Sequence, residues 1–468
     1  MPRFGQFEDN AAEMTQAGQN QDEHVGASEE ITLKAPVHVT LLYHFFAPDD
    51  VVSARLYSEL AEGLVAREWA ATARPSNRKC HTNAAPSLAL RERRRGVEIR
   101  RVWRPPFRQA SHFGRLANTA WMLAAWTWAA AFGRRWPHEV VIIGTDPVFG
   151  VLAALPWRLF RPRAEIVHWC FDLYPDAAVA EGVARAESRS VRWLARWMAA
   201  AYRRCAFIAD LGPCMATRLA AAAPETPLLT ITPWALVEPA MPPLPDPATR
   251  RELFGDAALG LLYSGSFGRA HSYDEFLELA RALRDVSRPD GVSFCFAGRG
   301  NRAEELRQAV TPEDLNIRLA GFAPENELER RLAACDLHLV SLRPDWTGTV
   351  VPSKFFGALA AGRAVVFAGS PESSIGQWLR EHGVGWVLTP ESLAAVAADL
   401  RALAADPDGL EALRERCHRV YHEHFSKQRM IDRWDAELRR ALGVDFPENN
   451  SSGAVSSPNS PAVQRCLA

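Results

Sequence analysis

The sequence predicts an α/β protein built from two doubly wound, Rossmann-like domains that face each other across a cleft. The chain has 468 residues, which exceeds one ordinary core at roughly 150 residues per domain. Short apolar runs alternate with amphipathic segments, as is typical of βα units on a parallel sheet. A proline-rich stretch at residues 233–247 predicts a joint between two such domains.

The second half of the chain shows this alternation most clearly. Its apolar runs predict six strands, at residues 261–267, 292–297, 317–319, 337–342, 364–368 and 385–388. The amphipathic segments between them predict helices, and the first helix begins with Ser272 and Glu275 in a capping-box arrangement. Doubly wound sheets bind ligands at the carboxyl ends of their strands, so we expect the functional site on the loops that follow these strands.

The first half gives a weaker version of the same pattern. Its predicted elements are a helix at residues 54–67 and strands at 37–43, 140–143 and 164–170. The predicted domains are a first domain over 36–235, a second over 236–426, and a helix over 427–446 that returns to the first. The polar ends, 1–35 and 447–468, are predicted to be disordered tails because they contain few large apolar side chains.

Composition and charge argue against several classes of function. The chain is 48% hydrophobic and 23% charged, which is typical of a globular protein. Its formal net charge of -1 gives no general attraction to nucleic acid. The eight cysteines are scattered without a C-x-x-C pair, so no metal site is expected and a reducing compartment is favoured. The sequence therefore predicts a cytoplasmic protein, with the inner face of the cytoplasmic membrane as a second option.

The strongest local signal lies at residues 350–362. Pro352 and Ser353 predict the start of a short helix, with Ser353 as its cap, and Gly362 predicts its end. A helix that starts after a strand's carboxyl end directs its free N–H groups and Lys354 into the cleft, where a diphosphate could bind. The alternative is that Lys354 is an ordinary lysine on an exposed helix start.

A glycine-rich turn follows the first strand of the second half. Gly265, Ser266 and Gly268 let the backbone approach a ligand closely, and Arg269 can make a bidentate contact to phosphate oxygens. Gly298 lies in the corresponding turn after the next strand. A Gly-x-x-Gly turn alone is a weak indication, but Arg269 and the lysine described above would together provide two cations for one leaving group.

Six segments of the chain carry a family resemblance. They lie at residues 43–49, 168–176, 262–271, 296–300, 340–344 and 352–354, the last together with 361–363. In this order they resemble the retaining GT-B glycosyltransferases of the family-4-like type. Those of bacterial surface-polysaccharide assembly, such as the fucosaminyltransferases, are the most similar. The resemblance spans about residues 37–434.

The resemblance implies retaining hexosyl transfer from a nucleotide-diphosphate sugar to a saccharide or lipid-linked acceptor. It assigns Arg269 and Lys354 to the donor diphosphate, where their charges would stabilise the leaving nucleotide without a metal or a cofactor. Asp172, or failing it His168, is expected to face the sugar from the first domain. The alternative for both is a hydrogen-bonded residue at a strand end. Asp345 is a weaker candidate for contact with a sugar hydroxyl.

Two departures from the family pattern leave alternatives open. The family's glutamate pair, spaced E-x7-E, falls on Thr349 and Gly357, which are not acidic, and the opening loop has larger residues at 51–53. These departures favour, as an alternative, an inactive pseudo-transferase that acts as a binding or scaffold protein. A nucleotide-sugar epimerase is a further alternative, but the glycines at 298–300 lack the G-x-G-x-x-G spacing of a dinucleotide site.

Three segments suggest contact with a membrane surface. Residues 116–132 are apolar and rich in tryptophan but slightly short for a membrane span, and residues 91–108 and 189–204 are rich in arginine. A basic amphipathic helix can lie in the lipid headgroup layer. The alternative is a set of largely buried helices with solvated faces. Peripheral membrane contact is therefore a hypothesis of the sequence.

Overall fold

The computed structural model describes residues 37–80, 87–109, 111–284, 291–300, 302–322 and 325–444. The tails predicted at 1–35 and 447–468 lie outside the described residues. Within the described part, the chain folds around two separate sheets, each covered by helices; the second is parallel, and the first is parallel except for one hairpin. The prediction of two doubly wound α/β domains is confirmed.

The first sheet has eight strands. They are β1 (Val37–Leu42), β2 (Ala70–Ala73), β3 (Arg91–Arg94), β4 (Val97–Arg100), β5 (His138–Gly144), β6 (Glu165–Trp169), β7 (Phe207–Asp210) and β8 (Leu228–Thr230). Their spatial order is β3-β4-β2-β1-β5-β6-β7-β8, and only the β3–β4 pair is antiparallel. The helices of this half are α1 (Val52–Val65), α2 (His112–Phe132), α3 (Ala154–Phe160), α4 (Asp176–Ala180), α5 (Arg189–Tyr202) and α6 (Pro213–Ala222). Part of the arginine-rich segment 91–108 is thus a hairpin, not an amphipathic helix.

The second sheet has six parallel strands at the predicted positions. They are β9 (Leu259–Ser266), β10 (Val292–Arg299), β11 (Ile317–Ala320), β12 (Leu337–Ser341), β13 (Ala364–Ala368) and β14 (Gly385–Leu388). Their order is β11-β10-β9-β12-β13-β14. The helices are α7 (Pro247–Phe254), α8 (Asp274–Ala282), α9 (Ala303–Ala309), α10 (Glu325–Ala334), α11 (Lys354–Ala360), α12 (Ser374–His382), α13 (Leu393–Ala404) and α14 (Pro407–His424). The central strands are apolar runs because helices cover both faces of the sheet.

The predicted capping box at the start of α8 is wrong in its detail. The helix begins at Asp274 with Tyr273 as the preceding cap residue, so Ser272 lies one position too early to cap the backbone. Its hydroxyl donates instead to the Glu275 carboxylate. The two side chains do meet, but they bond to each other rather than to the free N–H groups of the first turn.

A last helix, α15 (Lys427–Leu442), packs against the first domain. Trp434 is fully buried, with its ring centroid 5.2 Å from that of Trp169 in β6. Asp435 accepts a 2.6 Å hydrogen bond from the indole N–H of Trp69. The end of the chain is therefore fixed to the domain in which the chain begins.

Direct contacts also join the loops of the two sheets. The N–H of Leu173, which follows β6, donates to the carbonyl of Thr349 over 2.8 Å. The thiol of Cys214, in the first turn of α6, lies 2.9 Å from the hydroxyl of Ser374, in the first turn of α12. The carboxyl ends of the two sheets therefore face each other, which is where a doubly wound fold places its ligand.

Candidate functional site

The site begins at Lys354, the first residue of α11, whose half-buried side chain reaches back to the end of β9. Its Nζ donates to the Ser266 carbonyl over 3.1 Å and lies 5.0 Å from the centre of the Tyr263 ring. Desolvation lowers the pKa of Lys354 to about 8. The side chain is still mainly a cation at neutral pH, but it has lost much of its hydration.

His271 provides the second contact of this ammonium. The imidazole Nδ1 lies 2.7 Å from the carbonyl oxygen of Ser341, so Nδ1 carries the proton and Nε2 carries the lone pair. Nε2 is 3.5 Å from Nζ of Lys354. Burial and the Lys354 charge lower the pKa of His271 to about 3. His271 is therefore neutral and orients the ammonium without adding a second charge.

The glycine turn after β9 makes room for the lysine. Gly265 has a φ of +124°, and a Cβ added there would lie 2.7 Å from Cε of Lys354. Few residues other than glycine tolerate that backbone conformation. Gly298, at the end of β10, would place a Cβ 2.8 Å from the ring of Phe267. A Cβ added at Gly268 would meet no described atom within 4 Å, and the Gly268 carbonyl accepts a hydrogen bond from the N–H of His271.

The predicted capping role of Ser353 is wrong. Ser353 already has helical dihedrals, with φ of −64° and ψ of −17°, and its side chain makes no capping hydrogen bond. A capping side chain needs an extended backbone in order to fold over the first turn. Because α11 has only seven residues, the charge of Lys354, rather than the helix start, dominates this corner of the site.

Arg269 lies in the same turn but points toward the first domain. Its guanidinium is 3.4 Å from the carboxylate of Glu181, and both residues line a cavity of about 360 Å³. Arg302, Glu305 and Arg343 complete the lining. Lys354 of α11 therefore faces the end of β9, whereas Arg269 in the turn faces this cavity.

Asp172 lies in the loop after β6, where the first domain contacts the second. The hydroxyl oxygen of Thr145 accepts hydrogen bonds from the N–H groups of Phe171 and Asp172, at 2.8 and 3.4 Å. Burial, and to a smaller extent the charge of Asp146, raise the pKa of Asp172 to about 7. A carboxyl with such a pKa can accept or release a proton near neutral pH.

His168 lies inside the first sheet rather than at the cleft. It is only 2% exposed, and its Nδ1 lies 2.8 Å from the carbonyl oxygen of Ile143 in the neighbouring strand. Burial lowers the pKa of His168 to about 4. This placement corresponds to the alternative of a hydrogen-bonded residue within a strand, so we give His168 no role at the site.

A polar pair after β1 and β5, with its histidine buried and its aspartate partly exposed, was not predicted from the sequence. His44 and Asp146 form a 3.1 Å contact between Nδ1 and Oδ1, and Nε2 of His44 has no partner within the described ranges. Burial and the charge of Asp146 raise the pKa of the Cys80 thiol, and the charge of the fully buried Arg104 opposes that shift. Both His44 and Asp146 lie two residues after a strand end, a position that could have identified them.

Thr349 and Gly357, the two positions that lack the family's glutamates, differ in their surroundings. Thr349 is buried, and its hydroxyl donates to the Trp346 carbonyl over 2.7 Å. Gly357 faces open space, since a Cβ added there would meet no atom within 4 Å. Asp345 is 3.5 Å from Arg343 and is largely exposed. Among the side chains that the structure describes, no group of three His, Cys, Asp or Glu residues could hold a metal.

Comparison with known proteins places these features in context. No family model matches the sequence. The chain is 24% identical over 262 residues to the probable glycosyltransferase WbjE of Pseudomonas aeruginosa, across 55% of this chain. The match spans 64% of the length of that relative.

Solved structures resemble nearly the whole chain. Sucrose-phosphate synthase from Thermosynechococcus elongatus has a TM-score of 0.64 and 15% identity, across 87% of this chain and 99% of the synthase chain. The catalytic domain of starch synthase IV from Arabidopsis thaliana, bound to ADP and acarbose, has a TM-score of 0.61 and 12% identity, across 87% and 100%. The described chain therefore has the two-domain GT-B fold of glycosyltransferases.

Proposed function

We propose that this protein is a glycosyltransferase that moves a sugar from a nucleotide-diphosphate donor to a saccharide or lipid-linked acceptor, with retention at the transferred carbon. The observation that carries this proposal is the partly desolvated ammonium of Lys354 at the carboxyl end of β9. The GT-B fold and the similarity to a probable glycosyltransferase support the same activity. The resemblance to surface-polysaccharide enzymes suggests a role in polysaccharide or glycolipid assembly.

The leaving group explains the need for this ammonium. When the glycosidic bond breaks, negative charge develops on the nucleotide diphosphate, and a fixed cation in a site of low polarity stabilises it strongly. An ammonium has three N–H donors. The contacts to Ser266 and His271 use two of them, so one donor is available for a phosphate oxygen.

Arg269 would supply the second cation by changing its partner. Its 3.4 Å contact with Glu181 is partly exposed, and such pairs contribute little stability. A diphosphate in the neighbouring cavity offers more charge and bidentate geometry, so it would compete well for the guanidinium. The contact between Arg269 and Glu181 would then break as the donor binds.

Asp172 would act on the acceptor side. At neutral pH a carboxyl with a pKa of about 7 exists in both protonation states. It can therefore hydrogen-bond to a sugar hydroxyl in one state and accept its proton in the other. The contact between Leu173 and Thr349 fixes the loop that holds Asp172 against the second domain.

Single alanine substitutions at Lys354 and Arg269 test this function. Nucleotide release from UDP-, GDP- and ADP-sugars would be measured in the presence and absence of candidate acceptors. We expect each variant to lower turnover by roughly 100-fold or more, as for the loss of one electrostatic contact in a transition state. Arg307→Ala, at an exposed arginine of α9 that pairs with Glu304, is the matched control and should retain activity.

Two results would contradict the proposal. If both variants turned over as fast as the wild type, the assigned cations would have no role in transfer. If the wild type bound a nucleoside diphosphate in a thermal-shift assay but released no nucleotide from any donor, the scaffold alternative would be favoured. The absence of acids at Thr349 and Gly357 is the sequence feature behind that alternative.

A further inference from the structure

The exposed face of α2 is apolar along its whole length. The side chains exposed at intervals of three or four residues are those of Phe113, Leu116, Ala120, Ala124, Trp128 and Phe132. The aromatic rings near its end are largely uncovered, with Trp128 at 68% and Phe132 at 71% exposure. Helix faces that meet water are normally polar. An apolar face that no described residue covers therefore indicates a binding partner outside the described chain.

The short helix α3 packs against both α2 and α5. Arg161, just after α3, donates to the carbonyls of Ala129 and Ala130 in the last turns of α2, at 3.0 Å each. Arg158 donates to the carbonyl of Arg204, just after α5, over 3.1 Å. The carboxyl ends of the three helices therefore meet on one side of the first domain.

On this side of the first domain, α3 and α5 extend the exposed apolar surface of α2 and add positive charge. Leu159 of α3 is 73% exposed, and Trp193 and Trp197 of α5 lie in contact with each other at 61% and 46% exposure. Arg192 and Arg196 are exposed beside these tryptophans. We call the exposed side chains of α2, α3 and α5, with the residues just after them, the aromatic–arginine face.

The charge of the aromatic–arginine face has one sign. Residues 111–138, 147–164 and 188–209 contain no Asp or Glu, although the chain as a whole has a net charge of -1. The same residues contain 11 arginines, at positions 115, 134, 135, 158, 161, 163, 189, 192, 196, 203 and 204. Two of them, Arg158 and Arg161, pair with Glu165 and Glu139 of the adjacent strands. The remaining arginines leave this surface strongly positive.

We propose that the aromatic–arginine face rests on a lipid bilayer that carries anionic headgroups. Tryptophan and phenylalanine partition into the boundary between headgroups and acyl chains, and arginine beside them is attracted to lipid phosphate and to acidic lipids. The helices would lie in the plane of the surface. No helix in the described part of the chain is long and apolar enough to cross a membrane.

Charge favours a bilayer over a second copy of the chain as the occupant. A symmetric dimer through this face would place its arginines opposite those of the other copy, and like charges at an interface oppose association. An anionic bilayer supplies both the apolar layer and the opposite charge. The proposal does not depend on sugar transfer, since it rests on a surface outside the site.

The aromatic–arginine face also begins close to the site. Arg115, in the first turn of α2, is near enough to Tyr174 for its charge to act on the pKa of that phenol, which burial raises. Tyr174 lies in the loop that carries Asp172. A protein seated on this face would hold its acceptor side next to the bilayer, where a lipid-linked acceptor is located.

Flotation of the full-length protein tests this proposal. The probes are vesicles of phosphatidylcholine alone and of phosphatidylcholine with phosphatidylglycerol. We expect binding to the anionic vesicles at low salt and weaker binding at high salt. The double variant Arg192→Gln/Arg196→Gln should bind about 25-fold more weakly, because each arginine near an anionic surface contributes about fivefold. Trp128→Ser/Phe132→Ser should reduce binding roughly tenfold or more, also at high salt.

A matched pair of substitutions on the second domain serves as control. Leu315 is 72% exposed and Arg307 is also exposed, so Leu315→Ser/Arg307→Gln removes the same kinds of group elsewhere. Circular dichroism would establish that each variant is folded, and the arginine variant alone still tests the proposal if the aromatic variant is not. Failure of the wild type to float with anionic vesicles would overturn the proposal. So would an equal loss in the control pair, or a dimer in light scattering that the aromatic variant dissociates.

Discussion

Replacing Lys354 with methionine should stabilise the fold while it abolishes the proposed phosphate contact. Desolvation lowers the pKa of Lys354 from its ordinary 10.5 to about 8. At about 1.4 kcal/mol per pKa unit, keeping this lysine protonated at pH 7 costs roughly 3 kcal/mol of folding free energy. Methionine also loses the hydrogen bonds to Ser266 and His271, which reduces the expected gain to about 1 to 2 kcal/mol.

The pH dependence of this gain identifies its cause. The unfolded chain holds the Lys354 proton more tightly than the folded protein does, so the wild type gains stability as the pH rises from about 8 toward 10.5. Lys354→Met lacks this gain. The advantage of the variant is therefore largest at pH 7 and below, and it shrinks above pH 8.

Urea unfolding at pH 7 and at pH 10 measures both effects. Lys427→Met is the matched control, because Lys427 is partly exposed and lies 3.7 Å from Glu59. We expect no comparable gain from it. Two results would refute the reasoning: a Lys354→Met variant less stable than the wild type at pH 7, or an advantage of equal size at both pH values.

Four further outcomes follow from the same geometry. The kcat/KM of the wild type should fall as the pH rises above about 8, where Lys354 loses its charge. Lys354→Arg, if active, should move that fall to higher pH. A flat profile up to pH 10 would count against the role of the cation. Gly265→Ala should destabilise the protein by about 1–3 kcal/mol and weaken nucleotide binding, because φ is +124° and the new Cβ would press on Lys354; an unchanged melting temperature would disprove this. Gly357→Ala, in open space within α11, should stabilise by about 0.5–1 kcal/mol in urea unfolding, whereas a loss of stability would show that the space is filled. The folded protein holds the Asp172 proton more tightly than the unfolded chain, so this residue makes the wild type lose stability as the pH rises from 3.8 to about 7; Asp172→Asn should flatten that part of the curve, and an unaltered slope would exclude this titration.

The second sheet could be predicted strand by strand because most of its strands are mainly apolar runs separated by clear loops. Strands β2 and β3 of the first sheet give no such signal. β2 has the sequence AATA, and β3 has the sequence RERR, in which every residue is charged. A strand at the edge of a sheet needs few apolar side chains, so β3 carries the composition of a solvated segment. Its identity depends on pairing with β4, which local sequence does not reveal.

The candidate site was predictable in part for the same reason. Lys354 and the glycine turn stand out because each follows a strand end. The contacts of Lys354 could not be inferred, because His271 lies 83 residues away in the chain. His44 and Asp146 are 102 residues apart and meet only because β1 and β5 are neighbours in the sheet. His168 illustrates the opposite error, since a histidine near a conspicuous motif can still point into the core.

The surroundings of Lys354 differ from those of three arginines that pair with buried carboxylates. Arg161 is almost fully buried and lies 2.7 Å from Glu139, and Arg250 and Arg414 both contact the buried Asp336. Those cations are neutralised within the fold, as structural ion pairs are. In the described part of the chain, Nζ of Lys354 lies beside a carbonyl, a neutral imidazole and the Tyr263 ring but beside no carboxylate, so no negative charge compensates it. A partly desolvated ammonium beside a glycine turn, with one donor left over, is suited to an anion that arrives from outside, and a diphosphate would supply the missing charge.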